Sequence, residues 1–246
     1  MSAASHIYRQ TLKRVPAMNT TISAFKPLDL LGDLNDVEEK NAPAELFIAG
    51  DPELVTHGRR ISVVGSRDVS DEGARRTKVL VKALVDADII VVSGLAAGVD
   101  AIAHHTAIEA GGRTVAVLGT PLDKFYPAAN KELQQRIMSE HAAVSQFPPG
   151  YPSTPKNFPM RNRTMALLSD ATIIVEAGEK SGTRHQGWEA LRLGRAVFIM
   201  ENIAEDSKLS WPREMIDYGA DVLSKANLST LIENLPAFTN REAFAF

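Results

Sequence analysis

The sequence has no cysteine in its 246 residues, which excludes disulfides, thiolate nucleophiles and cysteine-held metals. Aromatic residues are few, at 6% with two tryptophans. The balance of aliphatic residues, alanine and glycine suits helices packed on parallel strands better than a β-sandwich. No apolar run approaches the roughly 18 residues needed to span a bilayer. The N-terminus, with His6, Arg9, Lys13 and Arg14, lacks the apolar centre of a secretory signal. A soluble, cytoplasmic protein with no membrane contact is expected. A basic excess is also missing: the net charge is −3 and the pI about 6.1, which argues against nucleic-acid binding by the whole surface. The dinucleotide signature GxGxxG after the first strand and the phosphate loop GxxxxGKS/T are both absent, so a conventional NAD or ATP enzyme is disfavoured.

What is present begins with a segregated charge. Residues 156–195 hold seven cations and four anions, a local +3 that leaves −6 for the rest of the chain. At the head of that segment, residues 152–166 read PSTPKNFPMRNRTMA and collect Lys156, Phe158, Arg161, Asn162 and Arg163 around prolines. Cations to meet phosphate, a ring to stack on a base and an extended, proline-stiffened backbone suit a nucleotide strand. The same residues suit a solvated basic loop running into a helix equally well.

Length allows one α/β domain of roughly 180 residues with appendages. The first forty-odd residues show no sustained period, carry Pro16, Pro27 and Pro43, and read as a partly ordered arm over 1–44, regular structure starting near 45–48. From residue 60, short β-branched runs at 61–64, 89–92, 114–118, 142–145, 171–175 and 196–200 alternate with helical periods. Those helices are expected at 71–86, 101–110, 131–139, 162–168 and 183–193. This order predicts a doubly wound, mostly parallel, Rossmann-like sheet over 45–225 with helices on both faces. Residues 215–223 close it less clearly, and 226–246 read as a C-terminal helix and tail.

Ligands of such sheets bind beyond the carboxyl ends of the strands. The segments there contain Ser66 and Arg67, Gly94 and Gly98, Gly119, and the turn Ser181, Gly182 and Thr183. Glycines let backbone N–H groups approach an anion, and a following helix adds its N-terminal partial charge. Each such turn also has a plain geometric reading. Arg67 can fork onto a phosphate or lie on the surface beside Asp68. Asp100 reads as a helix cap and His104 as a packed histidine, because the spacing supplies no further metal ligands. Trp188 suits core packing.

Taken in order, VGSR at 64–67, SGLAAGVDAIAHHTAI at 93–108, GGRTVAVLGTPLDKFYPAAN at 111–130, FPPG at 147–150, FPMRNR at 158–163, VEAGEKSGT at 175–183 and GRAVF at 194–198 resemble the DprA/Smf (DNA processing) family. The resemblance covers about residues 45–222. It implies a Rossmann-type domain that binds single-stranded DNA, protects it and loads a RecA-type recombinase in DNA uptake or recombination, acting as a homodimer. It implies no cofactor, no metal and no catalytic residue. By the resemblance, DNA contacts fall on Arg67, Lys156, Phe158, Arg161 and Arg163, with Ser66 and the Ser181–Thr183 turn holding phosphates and Asn162 orienting the loop. Two departures stand out, Thr183-Arg184-His185 after the Ser-Gly turn and Glu201-Asn202 after the last strand run.

Two other functions compete. One is a phosphoribohydrolase acting on nucleoside monophosphates, which resembles the Arg163 and Gly182-Thr183 arrangement but needs a carboxylate where the chain has Gln186, with Glu189 a turn further. The other is a sensor binding a small nucleotide in the same crevice.

Overall fold

The computed structural model describes residues 10–12 and 21–235. Its strands are β1 (Gln10–Leu12), β2 (Ile22–Phe25), β3 (Leu46–Gly50), β4 (Arg60–Gly65), β5 (Ile90–Ser93), β6 (Thr114–Leu118), β7 (Ala142–Ser145), β8 (Ala171–Glu176), β9 (Ala196–Met200) and β10 (Asp221–Leu223). They form one sheet in the order β1-β2-β3-β7-β6-β5-β4-β8-β9-β10. From β7 to β10 all neighbours are parallel, and β1, β2 and β3 extend the sheet antiparallel beyond β7. The expected Rossmann-like α/β fold is what forms.

Helices α1 (Pro27–Leu31), α2 (Asp36–Asn41), α3 (Glu53–Thr56), α4 (Asp71–Asp86), α5 (Val99–Glu109), α6 (Lys131–Glu140), α7 (Asn157–Leu167), α8 (Thr183–Arg192), α9 (Glu201–Ala204), α10 (Trp211–Asp217) and α11 (Leu228–Asn234) cover both faces. Alternation along the strands sorts the core. Ile61 and Val63 of β4, with Ala171, Ile173 and Val175 of β8, pack on Leu80, Leu84 and Ala103 of α4 and α5. Val64 and Ile174 face the other way, onto Met165 and Ala190 of α7 and α8. A central strand buried on both faces reads as one apolar run, which is why these strands are visible in the sequence.

Winding outward from β4, the chain lays β5, β6 and β7 on one side and then crosses back to lay β8, β9 and β10 on the other. The reversal lies between β4 and β8, and a crevice opens there at their carboxyl ends, as the topology requires.

Two boundaries differ from the sequence reading. In place of an arm reaching to residue 44, β2 pairs with β3, and Leu30 and Leu31 of α1 sit in the same core cluster as Leu167 and Leu193. Asn35 caps α2 and accepts from the Val37 and Glu38 backbone N–H groups, while Glu38 accepts in return from the Asn35 N–H. These elements have four to six residues each, too few to establish a period. At the other end, α11 packs Leu228, Leu231 and Ile232 on the α4 side of the core, and Arg59 donates to the Ile232 carbonyl at 2.6 Å. The expected tail past residue 235 lies outside the described residues.

No described helix is long and apolar enough to cross a membrane.

Candidate nucleic-acid interface

Three loops build the crevice, and each is tied to its neighbour. The Ser66 N–H donates to the Glu176 carbonyl at 2.7 Å, and the Val99 N–H donates to the Ser66 carbonyl at 3.1 Å. The Thr183 hydroxyl donates to the Gly65 carbonyl at 2.9 Å. Glu176, the last residue of β8, accepts from both the Ser70 N–H and the Ser70 hydroxyl, so its carboxylate fixes the loop that carries Arg67. Sequence reading missed Glu176, although an acid at the end of a strand on an otherwise basic edge was a usable signal.

The resulting cleft has a volume of about 640 Å³. Ser66, Arg67, Lys180, Ser181, Gly182 and Thr183 line its rim, and Asp100, Arg161 and Gln186 line its depth. The N-terminus of α8 opens onto it, adding partial positive charge to the lysine and arginine. An added Cβ at Gly178 or Gly182 would meet nothing within 4 Å, so both backbones are open to a ligand. The Ser66 hydroxyl donates to the Asp68 carbonyl, and the Ser181 hydroxyl to Thr183 Oγ1. These hydroxyls shape the loops and keep acceptor capacity only.

The glycines at 94, 98 and 119 have a different reason to be glycine. A Cβ at Gly94 would lie 1.9 Å from Arg161 Nη1, one at Gly98 2.2 Å from the Ser66 carbonyl oxygen, and one at Gly119 2.7 Å from the Phe158 ring. Their missing side chains serve packing within the protein. Gly94→Ala is therefore expected to cost about 1–3 kcal/mol by overpacking, while Gly182→Ala leaves the urea midpoint unchanged within error. Equal midpoints for the two variants would refute this assignment.

The cations read together from the sequence separate sharply by environment. Arg161 is 6% exposed, donates Nη1 to the carbonyls of Gly94 and Val117, and donates Nε to Asn162 Oδ1. Burial pulls its pKa down, offset by the Asp100 carboxylate. Arg163 is held by Glu189 at 3.0 Å, and Arg192 shares that carboxylate. Arg67, Lys156 and Lys180 make no ion pair among the described residues.

The backbone around them also departs from expectation. The stretch read as extended becomes α7 from Asn157 onward, with Pro159 in its first turn. Proline is tolerated there because those N–H groups have no intrahelical partner. Thr154 donates to Asn157 Oδ1 at 2.8 Å, which sets Lys156 at the helix mouth. Phe158 lies with Arg67 5.9 Å from its ring centroid and Tyr126 5.4 Å away.

Acid–base groups in the depth are few. Desolvation raises the Asp100 pKa, opposed by Arg161 and by hydrogen bonds that include the Ala96 N–H. Gln186 Oε1 is buried with no hydrogen-bond partner. Glu189, engaged by two arginines, is not among the cleft-lining residues. Behind the cleft, His104 is packed as expected. Thr114 donates its hydroxyl to Val91, so His104 Nδ1 must donate to Thr114 Oγ1 and Nε2 is left a buried acceptor without a partner. Burial pushes the His104 pKa down to about 3. The folded state thus resists a proton that the unfolded chain accepts below about 6.5. Stability is expected to fall by up to about 1.4 kcal/mol per pH unit as pH drops from 6.5 toward 3, and to be unaffected by this group above 6.5. Urea titrations of His104→Gln should show a shallower acid limb, and an identical limb would refute the assignment. Among the described residues no cluster of three or more His, Asp or Glu is placed to hold a metal.

Fold and crevice define an α/β protein with a cleft lined by Arg67, Lys180 and the N-terminus of α8 at the switch point of its sheet. Residues 31–235 match the sequence model of the family described as DNA recombination-mediator protein A. The chain belongs to that family. It is 34% identical over 194 residues to DNA processing protein DprA of Bacillus subtilis, a match covering 79% of this chain and 65% of that protein, so it spans a little under two thirds of that relative's length. The structure is similar to that of DNA processing protein A from Streptococcus pneumoniae, with TM-score 0.76 and 34% identity over 87% of this chain and 74% of that one. Its fold is also that of DNA processing protein A from Helicobacter pylori, a protein solved for its single-stranded DNA binding mode, with TM-score 0.72 and 24% identity over 94% and 99% of the two chains.

Proposed function

We propose that the crevice binds single-stranded DNA, positions it through its sugar–phosphate backbone, and performs no covalent chemistry on it. The observation that carries this reading is a pair of cations with no ion pair among the described residues, Arg67 and Lys180, lining a cleft where Gly178 and Gly182 leave the backbone bare, with Lys156, likewise unpaired, just ahead of the cleft-lining residues 158 and 159. Carried on three separate segments of the chain, these cations can meet more than one phosphate of a strand. Where glycosidic cleavage would need a carboxylate, the cleft presents Gln186. We further propose that the protein protects the bound strand and loads a RecA-type recombinase onto it, acting as a homodimer in the cytoplasm. Recombinase-dependent strand exchange with and without the protein, and sedimentation, test those extensions.

The binding itself is tested by fluorescence anisotropy with labelled oligonucleotides of increasing length at two salt concentrations. Affinity should rise with length and fall with salt. Arg67→Ala and Lys156→Ala should each weaken binding across sequences and lower the salt slope by about 1, and Gly182→Ala should weaken it without loss of stability. Affinity independent of both length and salt would sink the proposal. Release of free base from nucleoside monophosphates would replace it with the phosphoribohydrolase reading.

A further inference from the structure

Phe158 is the ring that the sequence offers for base stacking, but it is half-buried and already engaged by its neighbours. One side lies against Gly119, where even a Cβ would come within 2.7 Å of the ring, and the Arg67 guanidinium sits over it at 5.9 Å. Tyr126 touches Phe158 at a 51° tilt with centroids 5.4 Å apart, and it remains 51% exposed. A second opening of about 200 Å³ lies on this side of Phe158, lined by Arg67, Ala96, Ala97, Thr120, Tyr126 and Phe158 among others. Arg67 and Phe158, with Ala96 and Arg161, also line the larger cleft, so they form the wall between the two.

We propose that Tyr126 presents the open aromatic face on which a base of the bound strand stacks, while Phe158 is a positioning residue that braces Arg67 and Tyr126. This rests on the single-stranded DNA reading above and deepens it.

Three observations support the assignment. First, the Tyr126 loop is preorganised: Asp123 accepts from the Gly150 N–H at 2.9 Å, Lys124 Nζ donates to the Tyr151 carbonyl at 3.1 Å, and Asn130 donates to the Leu95 carbonyl at 2.9 Å. A platform already held in place loses little freedom when a base lands on it. Second, four backbone carbonyls around the opening are satisfied internally: Asn130 serves those of Leu95 and Ala96, Arg161 that of Gly94, and Ser145 that of Thr120. Such an opening accepts a base through its π-face, not its hydrogen-bonding edge, so it tolerates any sequence. Third, Arg67 stands at the shared wall, where it can hold the phosphate linking a nucleotide in the cleft to the nucleotide on Tyr126.

The test uses the full chain and an oligothymidylate carrying a single 5-iodouracil, which cross-links under ultraviolet light to an aromatic side chain stacked against it. Fragmentation of the adduct should place it on Tyr126. Adducts confined to Phe158 or to another residue overturn the proposal. Affinities provide the second measure. Tyr126→Ala should lose about five- to 150-fold in Kd, the range for one stacked base. Tyr126→Phe should stay within about twofold. Ala97→Leu, which adds bulk at an exposed residue lining the opening, should weaken binding with an unchanged melting temperature. If wild-type protein binds the strand in a length- and salt-dependent way and Tyr126→Ala binds it equally well, this assignment fails while the function stands. If wild type shows no such binding, the function itself fails.

Discussion

Arg161→Ala should lower unfolding stability by about 3–5 kcal/mol, the cost of removing one member from a buried charged network, while Arg67→Ala should leave stability within about 0.5 kcal/mol of wild type. The two arginines look equivalent in the sequence. Arg161 is buried, however, with one guanidinium nitrogen bridging the Gly94 and Val117 carbonyls at the ends of neighbouring strands. Truncation orphans both carbonyls, empties the space that glycine at 94 was needed to provide, and takes away the positive charge opposing the desolvation of Asp100. Arg161→Lys should rescue little, because one ammonium cannot reproduce the planar fork that also reaches Asn162. Removing the cation should also push the already raised Asp100 pKa further up. A raised carboxyl pKa means the folded state holds its proton more tightly than the unfolded chain. This contribution to stability is therefore greatest at low pH and declines as pH rises from near 3.8 through the folded value. The Arg161→Ala deficit should accordingly widen as pH rises through that window. Urea unfolding at several pH values checks both parts, and an Arg161→Ala variant as stable as wild type would return Arg161 to the group of solvent-facing cations.

This contrast explains what could be read from the sequence and what could not. Strands β4, β5, β6 and β8 announce themselves as β-branched runs because both faces are buried, and α4 does so through its regular apolar spacing over sixteen residues. The crevice follows from topology, so the loops that matter were visible too. Partnership was not. Arg67, Arg161 and Arg163 lie among the same kinds of neighbours in sequence, yet one is open, one is buried under two carbonyls and one is held by Glu189. That difference comes from residues 26 to 67 positions away, which no local pattern encodes. The start of α7 was concealed by Pro159, which reads as a breaker until it is recognised as lying in a first turn. Phe158 drew attention as the nearest ring to the cations, whereas Tyr126 sits some thirty residues upstream and meets it only in three dimensions.

The N-terminal elements were hidden for another reason, and the second large effect is expected there. Glu38→Ala should cost about 3–5 kcal/mol. Glu38 is fully buried, its Oε1 accepts from Arg195 Nη2 at 2.6 Å, and its other oxygen accepts from the Asn35 N–H at 2.9 Å. Truncation would leave the buried Arg195 guanidinium without this carboxylate and α2 without its reciprocal cap. Arg195 stands at the entry to β9, so the pair clamps α2 across the face of the sheet that also carries α7 and α8. Replacing both members, as in Glu38→Leu with Arg195→Met, should recover most of the loss, since a well-packed apolar pair of similar volume is often as stable as a buried ion pair. Deleting residues 1–44 should be worse than either substitution. It removes β2 from the edge of β3, strips Leu30 and Leu31 from the core and breaks the clamp in one step. If the deleted protein instead unfolds cooperatively at the wild-type urea midpoint, the segment before residue 45 is an appendage after all. If it is lost to aggregation while Glu38→Ala remains folded but weakened, the elements before residue 45 belong to the domain.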